Sequence, residues 1–158
     1  MKNKEKPYRK NVGIVVFNSS GRVLAGERIQ YPGIFQFPQG GLDKGENPVD
    51  AARRELYEET GLLLREEPVY EIPDWLYYEF PEDIPAHLKK YRGQAQKWFF
   101  FKWDGEISQL KLDLHEREFL TVKWYEIQKL VDEIVEFKKA TYLRVLEEAK
   151  NNIKNFFT

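Results

Sequence analysis

The sequence predicts an α/β fold, a central mixed sheet covered by helices on both faces, and three observations carry that prediction. Residues 12–18 and 22–29 are β-rich and flank Ser19-Ser20-Gly21, so an antiparallel hairpin opens the chain. A well-capped amphipathic helix follows soon after. From there strands and helices mix without the regular alternation of a purely parallel sheet.

The elements follow in order. Pro32-Gly33 breaks the chain after the hairpin, and residues 34–37 form a short aromatic strand feeding the turn Pro38-Gln39-Gly40-Gly41. Residues 48–60 are helical: Asn47 caps, Pro48 takes the first position, Asp50 suits the positive end of the helix dipole, and Gly61 supplies the left-handed stop. Residues 69–80 hold Trp75, Tyr77, Tyr78 and Phe80 and read as extended structure interrupted at Pro73. Residues 81–93, with their prolines and mixed charge, are a loop. Residues 96–103 and 122–127 are strands, residues 127–135 a short helix, and residues 141–157 a longer one with Leu143, Leu146, Ala149 and Ile153 at helical spacing. No linker, internal repeat or low-complexity tract divides the chain, so residues 1–158 are read as one domain.

The helix at 48–60 carries the chemistry. Val49, Ala52, Leu56 and Thr60 line its buried stripe, while Glu55, Glu58 and Glu59 share a neighbouring face. Three carboxylates this close repel one another, and a shared cation removes that penalty. Oxygen-only ligands select magnesium, manganese or calcium over zinc. A lone Glu-x-x-Glu-Glu is ordinarily a solvated helix face, with Arg54 and Glu58 an i, i+4 pair worth a few tenths of a kcal/mol, roughly, at most. Here the carboxylates stand in a longer frame: Gly40, five residues, Glu46, seven residues, then Arg54-Glu55-Leu56-Tyr57-Glu58-Glu59-Thr60-Gly61-Leu62.

That frame, residues 40–62, is the Nudix box, and the chain resembles the Nudix hydrolases. The resemblance implies an α/β/α sandwich with a central mixed sheet. Flanking segments extend it over residues 8–145: Tyr8-Arg9-Lys10-Asn11-Val12-Gly13, Gln36-Phe37-Pro38-Gln39-Gly40-Gly41, Gly93-Gln94-Ala95-Gln96-Lys97-Trp98, Glu118-Phe119, Lys123-Trp124 and Phe137-Lys138. Together they are similar to the bacterial branch of RNA 5′-pyrophosphohydrolases and dinucleoside polyphosphate hydrolases.

The resemblance also implies roles. Glu55, Glu58, Glu59 and the carbonyl of Gly40 would ligate Mg2+, with Mn2+ as an alternative and two or more ions per site. Glu46 would pair with Arg54 and orient the carboxylates. Glu118 would be a fourth carboxylate serving as ligand or base, rather than an exposed loop glutamate, although Glu116 and Arg117 leave its register open. Arg28, Lys138, Lys97 and Arg9 are candidate phosphate-binding cations, with Gln96 beside them; each is otherwise an ordinary solvated side chain. Phe137, Phe35 and Tyr78 are candidate base-binding aromatics, although strand aromatics more often belong to the core, and Phe35 stands where relatives often have tryptophan. His87 and His115 are read as surface residues.

The implied substrate is a 5′-triphosphorylated or diphosphorylated RNA end, cut to a 5′-monophosphate with release of pyrophosphate or phosphate. Open alternatives are a dinucleoside polyphosphate such as diadenosine tetraphosphate, cut to ATP and AMP, and a Nudix module that senses nucleotides without cutting them. Composition bounds the rest. Lys+Arg number 25 against 26 Asp+Glu, for a net charge of −1, so there is no basic field for tracking DNA. The chain has no cysteine, which excludes disulfides and thiolate chemistry. Residues 1–10 lack the apolar run of a secretory signal, and no apolar run approaches the ~18 residues of a membrane span. The expectation is a cytoplasmic monomer with no membrane partner.

Overall fold

The computed structural model describes residues 5–154 and 156. It contains eight strands, β1 (Tyr8–Phe17), β2 (Val23–Arg28), β3 (Phe35–Gln36), β4 (Gln39–Gly41), β5 (Tyr70–Glu71), β6 (Leu76–Glu79), β7 (Gly93–Lys102) and β8 (Phe119–Tyr125). Three α-helices accompany them, α1 (Pro48–Thr60), α2 (Ile127–Glu133) and α3 (Lys139–Asn152). All strands join one mixed sheet in which β3-β2-β1-β7-β5 run side by side, β4 pairs with β1, β6 with β7 and β8 with β2.

Strand parity sorts the core into two layers. Val12, Ile14 and Val16 of β1, with Phe99 and Phe101 of β7, pack under Ala51, Ala52 and Leu56 of α1. Val15 and Phe17, with Trp98 and Phe100, face the opposite way and meet Leu130 and Val131 of α2 and Tyr142, Val145 and Leu146 of α3. Helices therefore cover both faces, as the sequence predicts.

The centre of the sheet is the parallel pair β1–β7, in register from Tyr8 opposite Gly93 to Phe17 opposite Lys102. The other edge of β1 changes partner. Asn11, Val12 and Gly13 pair with Gly41, Gly40 and Gln39 of β4, whereas Phe17 pairs with Val23 of β2. The sheet opens between β2 and β4, and the box helix starts shortly after that opening.

Helix α1 has the bounds expected. The Asn47 side chain accepts from the Val49 N–H at 3.1 Å, Pro48 starts the helix, and Gly61 at φ 77° sends its N–H to the Tyr57 carbonyl at 2.8 Å. Several other bounds differ. Residues 39–41 are a strand rather than a turn, because their backbone completes the ladder with β1. β1 starts at Tyr8, β7 at Gly93 and β8 at Phe119, each three or four residues earlier than the sequence suggests. The extended stretch 69–80 is split into β5 and β6 around Pro73. A 3-10 turn, Ala86–Leu88, forms within the loop at 81–93. α3 stops at Asn152, and Ile153 turns to an extended conformation while its side chain stays buried. Phe157, the expected end of that helix, lies outside the described residues. No helix among the described residues is long and apolar enough to cross a membrane.

Candidate active site

The opening beside β1 leads into a cavity of about 340 Å³. Gly40, Glu55, Arg28 and Glu118 line one side, and Tyr78, Phe80, Phe137, Lys138 and Leu88 line another. Arg9, Asn11, Gln39 and Gln94 are among the other lining residues.

At the acidic end, Glu59 is only 3% exposed. Its Oε1 accepts from the Gln39 N–H at 3.1 Å, while Oε2 is buried with no hydrogen-bond partner and lies 3.6 Å from Arg28 Nη1. Burial holds the Glu59 carboxyl well above the ordinary carboxylate range, with Arg28 opposing the shift and Glu118 and Glu55 adding to it. Burial also raises Glu55, against the pull of Arg54. These are carboxylates short of positive charge.

Two arginines supply what charge there is. Arg28, at the end of β2, bridges Glu59 and Glu118. Arg54 makes a two-pronged contact with Glu46, both bonds 2.9 Å, and reaches Glu55 at 2.9 Å, Glu58 at 3.2 Å and the Gly41 carbonyl at 2.9 Å. The Arg54 bond holds the Glu46 carboxyl below its usual range, and Glu46 in turn raises Arg54. Glu55, Glu58 and Glu59 stand at the expected helical spacing on α1, but of the three only Glu55 lines the cavity. Glu58 is held by Arg54 and Glu59 is buried beside Arg28, and among the described residues no three acidic or histidine side chains are gathered closely enough to hold an ion as they stand.

The donor set nevertheless suits a hard divalent cation. Every group is an oxygen ligand, Glu59 Oε2 is a buried acceptor without a hydrogen bond, and Gly40 forms a cradle for the Glu55 carboxylate that any Cβ at that position would occupy.

The remaining candidates divide cleanly. Phe137 and Tyr78 pack ring to ring with centroids 5.6 Å apart. Lys138 is 5% exposed, donates to Gln36 Oε1 at 3.2 Å, and sits 5.9 Å from both ring centroids. Burial, reinforced by Arg28, lowers its pKa to about 7. Arg9 lines the cavity and donates to Gln94 Oε1 at 3.1 Å. Two expectations are corrected. Lys97 is outside the cavity, its ammonium donating to the carbonyls of Ile72 and Pro73 and pairing with Glu71 at 3.2 Å. Phe35 is also outside it, buried and stacked on Tyr125 with centroids 5.0 Å apart. Conversely, exposed His87 does line the cavity, brought there by the Ala86–Leu88 turn. An isolated histidine in a proline-containing loop gives no sequence signal of that placement. His115 is exposed and does not line the cavity.

A carboxylate-bearing helix clamped by Arg54 behind the Gly40 cradle is the arrangement that the Nudix resemblance implies for residues 40–62. A model of the NUDIX domain matches residues 7–146, and the chain belongs to that family, the Nudix hydrolases, which cut phosphoric anhydride bonds and generally require a divalent cation. Among individual proteins, it is similar to the RNA pyrophosphohydrolase of Bartonella clarridgeiae, 43% identical over 94% of this chain and 93% of that protein. It is also similar to the RNA pyrophosphohydrolase of Bartonella bacilliformis, 44% identical over 93% of this chain and 94% of that protein. The fold matches the crystal structure of MutT protein from Methanosarcina mazei Go1 with a TM-score of 0.68 at 19% identity, covering 92% of this chain and 98% of that one.

Proposed function

We propose that this protein is a metal-dependent RNA pyrophosphohydrolase that converts a 5′-triphosphorylated or diphosphorylated RNA end to a 5′-monophosphate, acting as a cytoplasmic monomer of one domain. The observation that carries this is one cavity joining the box carboxylate Glu55 and Glu118 to an aromatic and cationic wall, with buried Glu59 tied to Glu118 through Arg28. The similarity to proteins named RNA pyrophosphohydrolase supports the choice of RNA.

Glu55, Glu59, Glu118 and the Gly40 carbonyl would hold Mg2+ or Mn2+, with Glu58 joining after release from Arg54. When bound, such ions neutralise phosphate oxygens and lower the pKa of water. The protein's own groups do the rest. Arg28 and Arg9 receive the polyphosphate, Lys138 joins them once the bound anion holds it protonated, and their positive charge stabilises what develops on the leaving phosphate. Phe137 and Tyr78 offer a face to a base. Water adds to phosphorus as the anhydride P–O bond breaks, and its proton passes to a carboxylate of the Glu55, Glu59 and Glu118 set. Arg54, fixed by Glu46, holds Glu55 in place throughout.

The test is a comparison of kcat/KM, in magnesium, for 5′-triphosphorylated RNA, diadenosine tetraphosphate and a nucleotide sugar. The RNA is expected to be cut most efficiently, with a 5′-monophosphate product. A clear preference for the dinucleotide would replace the RNA by that substrate, and cleavage of none would leave a nucleotide-sensing module.

A further inference from the structure

The floor of the cavity is polar where central strands usually carry apolar residues. Arg9 and Asn11 lie on one face of β1, and the parallel register sets them opposite Gln94 and Gln96 of β7. Arg9 donates to Gln94 Oε1 at 3.1 Å, and Gln94 Nε2 donates to the Tyr78 hydroxyl at 2.9 Å. Gln96 Nε2 donates to Asn11 Oδ1 at 2.8 Å and to Gln39 Oε1 at 3.3 Å. The same Gln39 sends its backbone N–H to Glu59. This polar ladder runs from the aromatic wall to the box helix.

Asn11 and Gln96 are 0% exposed. Buried polar groups normally have all their partners, and an amide left short of them destabilises the fold. Yet Asn11 Nδ2 has no partner, and neither does Gln96 Oε1. Two apolar residues would fill the same space without that penalty. The arrangement makes sense if the free donor serves a ligand. Gln96 engages the oxygen end of the Asn11 amide, which leaves the NH2 end as its unused donor, and Asn11 lines the cavity. Asn11 pairs with Gly41, next to Gly40 and the Glu55 cradle, and stands two residues from Arg9. A donor there, beside Arg9 in the cavity that Glu55 also lines, matches an anionic oxygen acceptor rather than a base.

We propose that Asn11 is a substrate-binding residue whose side-chain amide donates to an oxygen of the polyphosphate chain, with Gln96 fixing its orientation. The proposal rests on the substrate class given above, and it identifies a contact that the cationic candidates do not supply.

The test uses Asn11→Ala and the paired apolar variant Asn11→Leu with Gln96→Leu. Calorimetry with magnesium and an imido-bridged ATP analogue gives Kd without turnover, and thermal melting gives Tm. Loss of a hydrogen bond to a charged acceptor predicts a Kd weakened roughly ten- to a hundredfold in both variants. The paired variant is expected to melt at or above the wild-type Tm, an outcome that a purely structural role would not give. With triphosphorylated RNA, KM should rise by a similar factor and kcat change less. A Kd within twofold of wild type in folded Asn11→Ala would overturn the assignment, even if the paired variant failed to fold. So would a wild type that does not bind the analogue. A wild type that binds the analogue but does not cut the RNA would sink the RNA activity, and the Kd ratio would still judge Asn11.

Discussion

Replacing Lys138 with methionine should stabilise the protein in a pH-dependent way. The ammonium is 5% exposed, with Gln36 Oε1 as its hydrogen-bond acceptor and two aromatic rings beside it. Burial lowers its pKa from 10.5 to about 7, with Arg28 pushing the same way. Below pH 7 the group is charged in both folded and unfolded chains, and the folded state bears the full cost of holding that charge. Between pH 7 and 10.5 the unfolded chain still binds the proton and the folded one does not, so stability rises with pH. Each pH unit within the window contributes about 1.4 kcal/mol. The stabilising advantage of Lys138→Met over wild type should therefore shrink by roughly 2.5 kcal/mol between pH 6.5 and 9. Methionine matches the aliphatic stem of lysine but lacks the ammonium and its bond to Gln36, so it is the pH dependence of the difference that isolates the charge. Urea denaturation of both proteins across that range measures it. A difference that stays flat with pH, or a variant less stable than wild type at pH 6.5, would refute the account of Lys138 as a buried, undercompensated cation.

Other expectations follow from the same cavity. Glu59→Gln should lose a hundredfold or more in kcat, about the effect of removing a key electrostatic group; near wild-type rates in saturating magnesium would contradict its role. In the cation-free protein the same change should raise Tm at neutral pH, because burial raises the Glu59 pKa above its ordinary 4.5; the gain should shrink as the pH falls towards 4.5. Arg28→Ala removes the cation that bridges Glu59 and Glu118, so Mn2+ affinity measured by electron paramagnetic resonance should rise while turnover falls; weaker Mn2+ binding would show that Arg28 does not compete with the ion. Gly40→Ala puts a methyl group into the Glu55 carboxylate, and should cut kcat steeply while circular dichroism shows the fold retained. Phe137→Ala should raise KM more than it lowers kcat, and a KM unchanged across several substrates would remove Phe137 from the base site.

Much of this was legible in the residues. α1 could be bounded from sequence because its cap, first-position proline and left-handed glycine are local signals. Helices on both faces of the sheet could be expected from the mixed order of strands and helices, whereas the residues of each layer emerge only once β1 and β7 are in register. What escaped was set by tertiary pairing. The start of β1 is hidden because Arg9, Lys10 and Asn11 break the apolar pattern, and they do so because two of them line the cavity. Gln39, Gly40 and Gly41 have poor strand propensity and become a strand through the register with β1. Lys97 could have been set aside by parity: Gln96 faces the polar floor, so its neighbour on β7 points the other way. The bridge from Arg28 to Glu118 spans 90 residues of sequence, and no local signal records it.

The decisive measurement is anomalous diffraction from crystals soaked with Mn2+ and an imido-bridged nucleotide. Manganese peaks bound by Glu55, Glu59 and the nucleotide phosphates, with Arg28 swung from Glu118 towards phosphate, are the expected result. Manganese elsewhere, with Glu59 and Glu118 still paired to Arg28, would contradict the assignment of α1 as the metal platform.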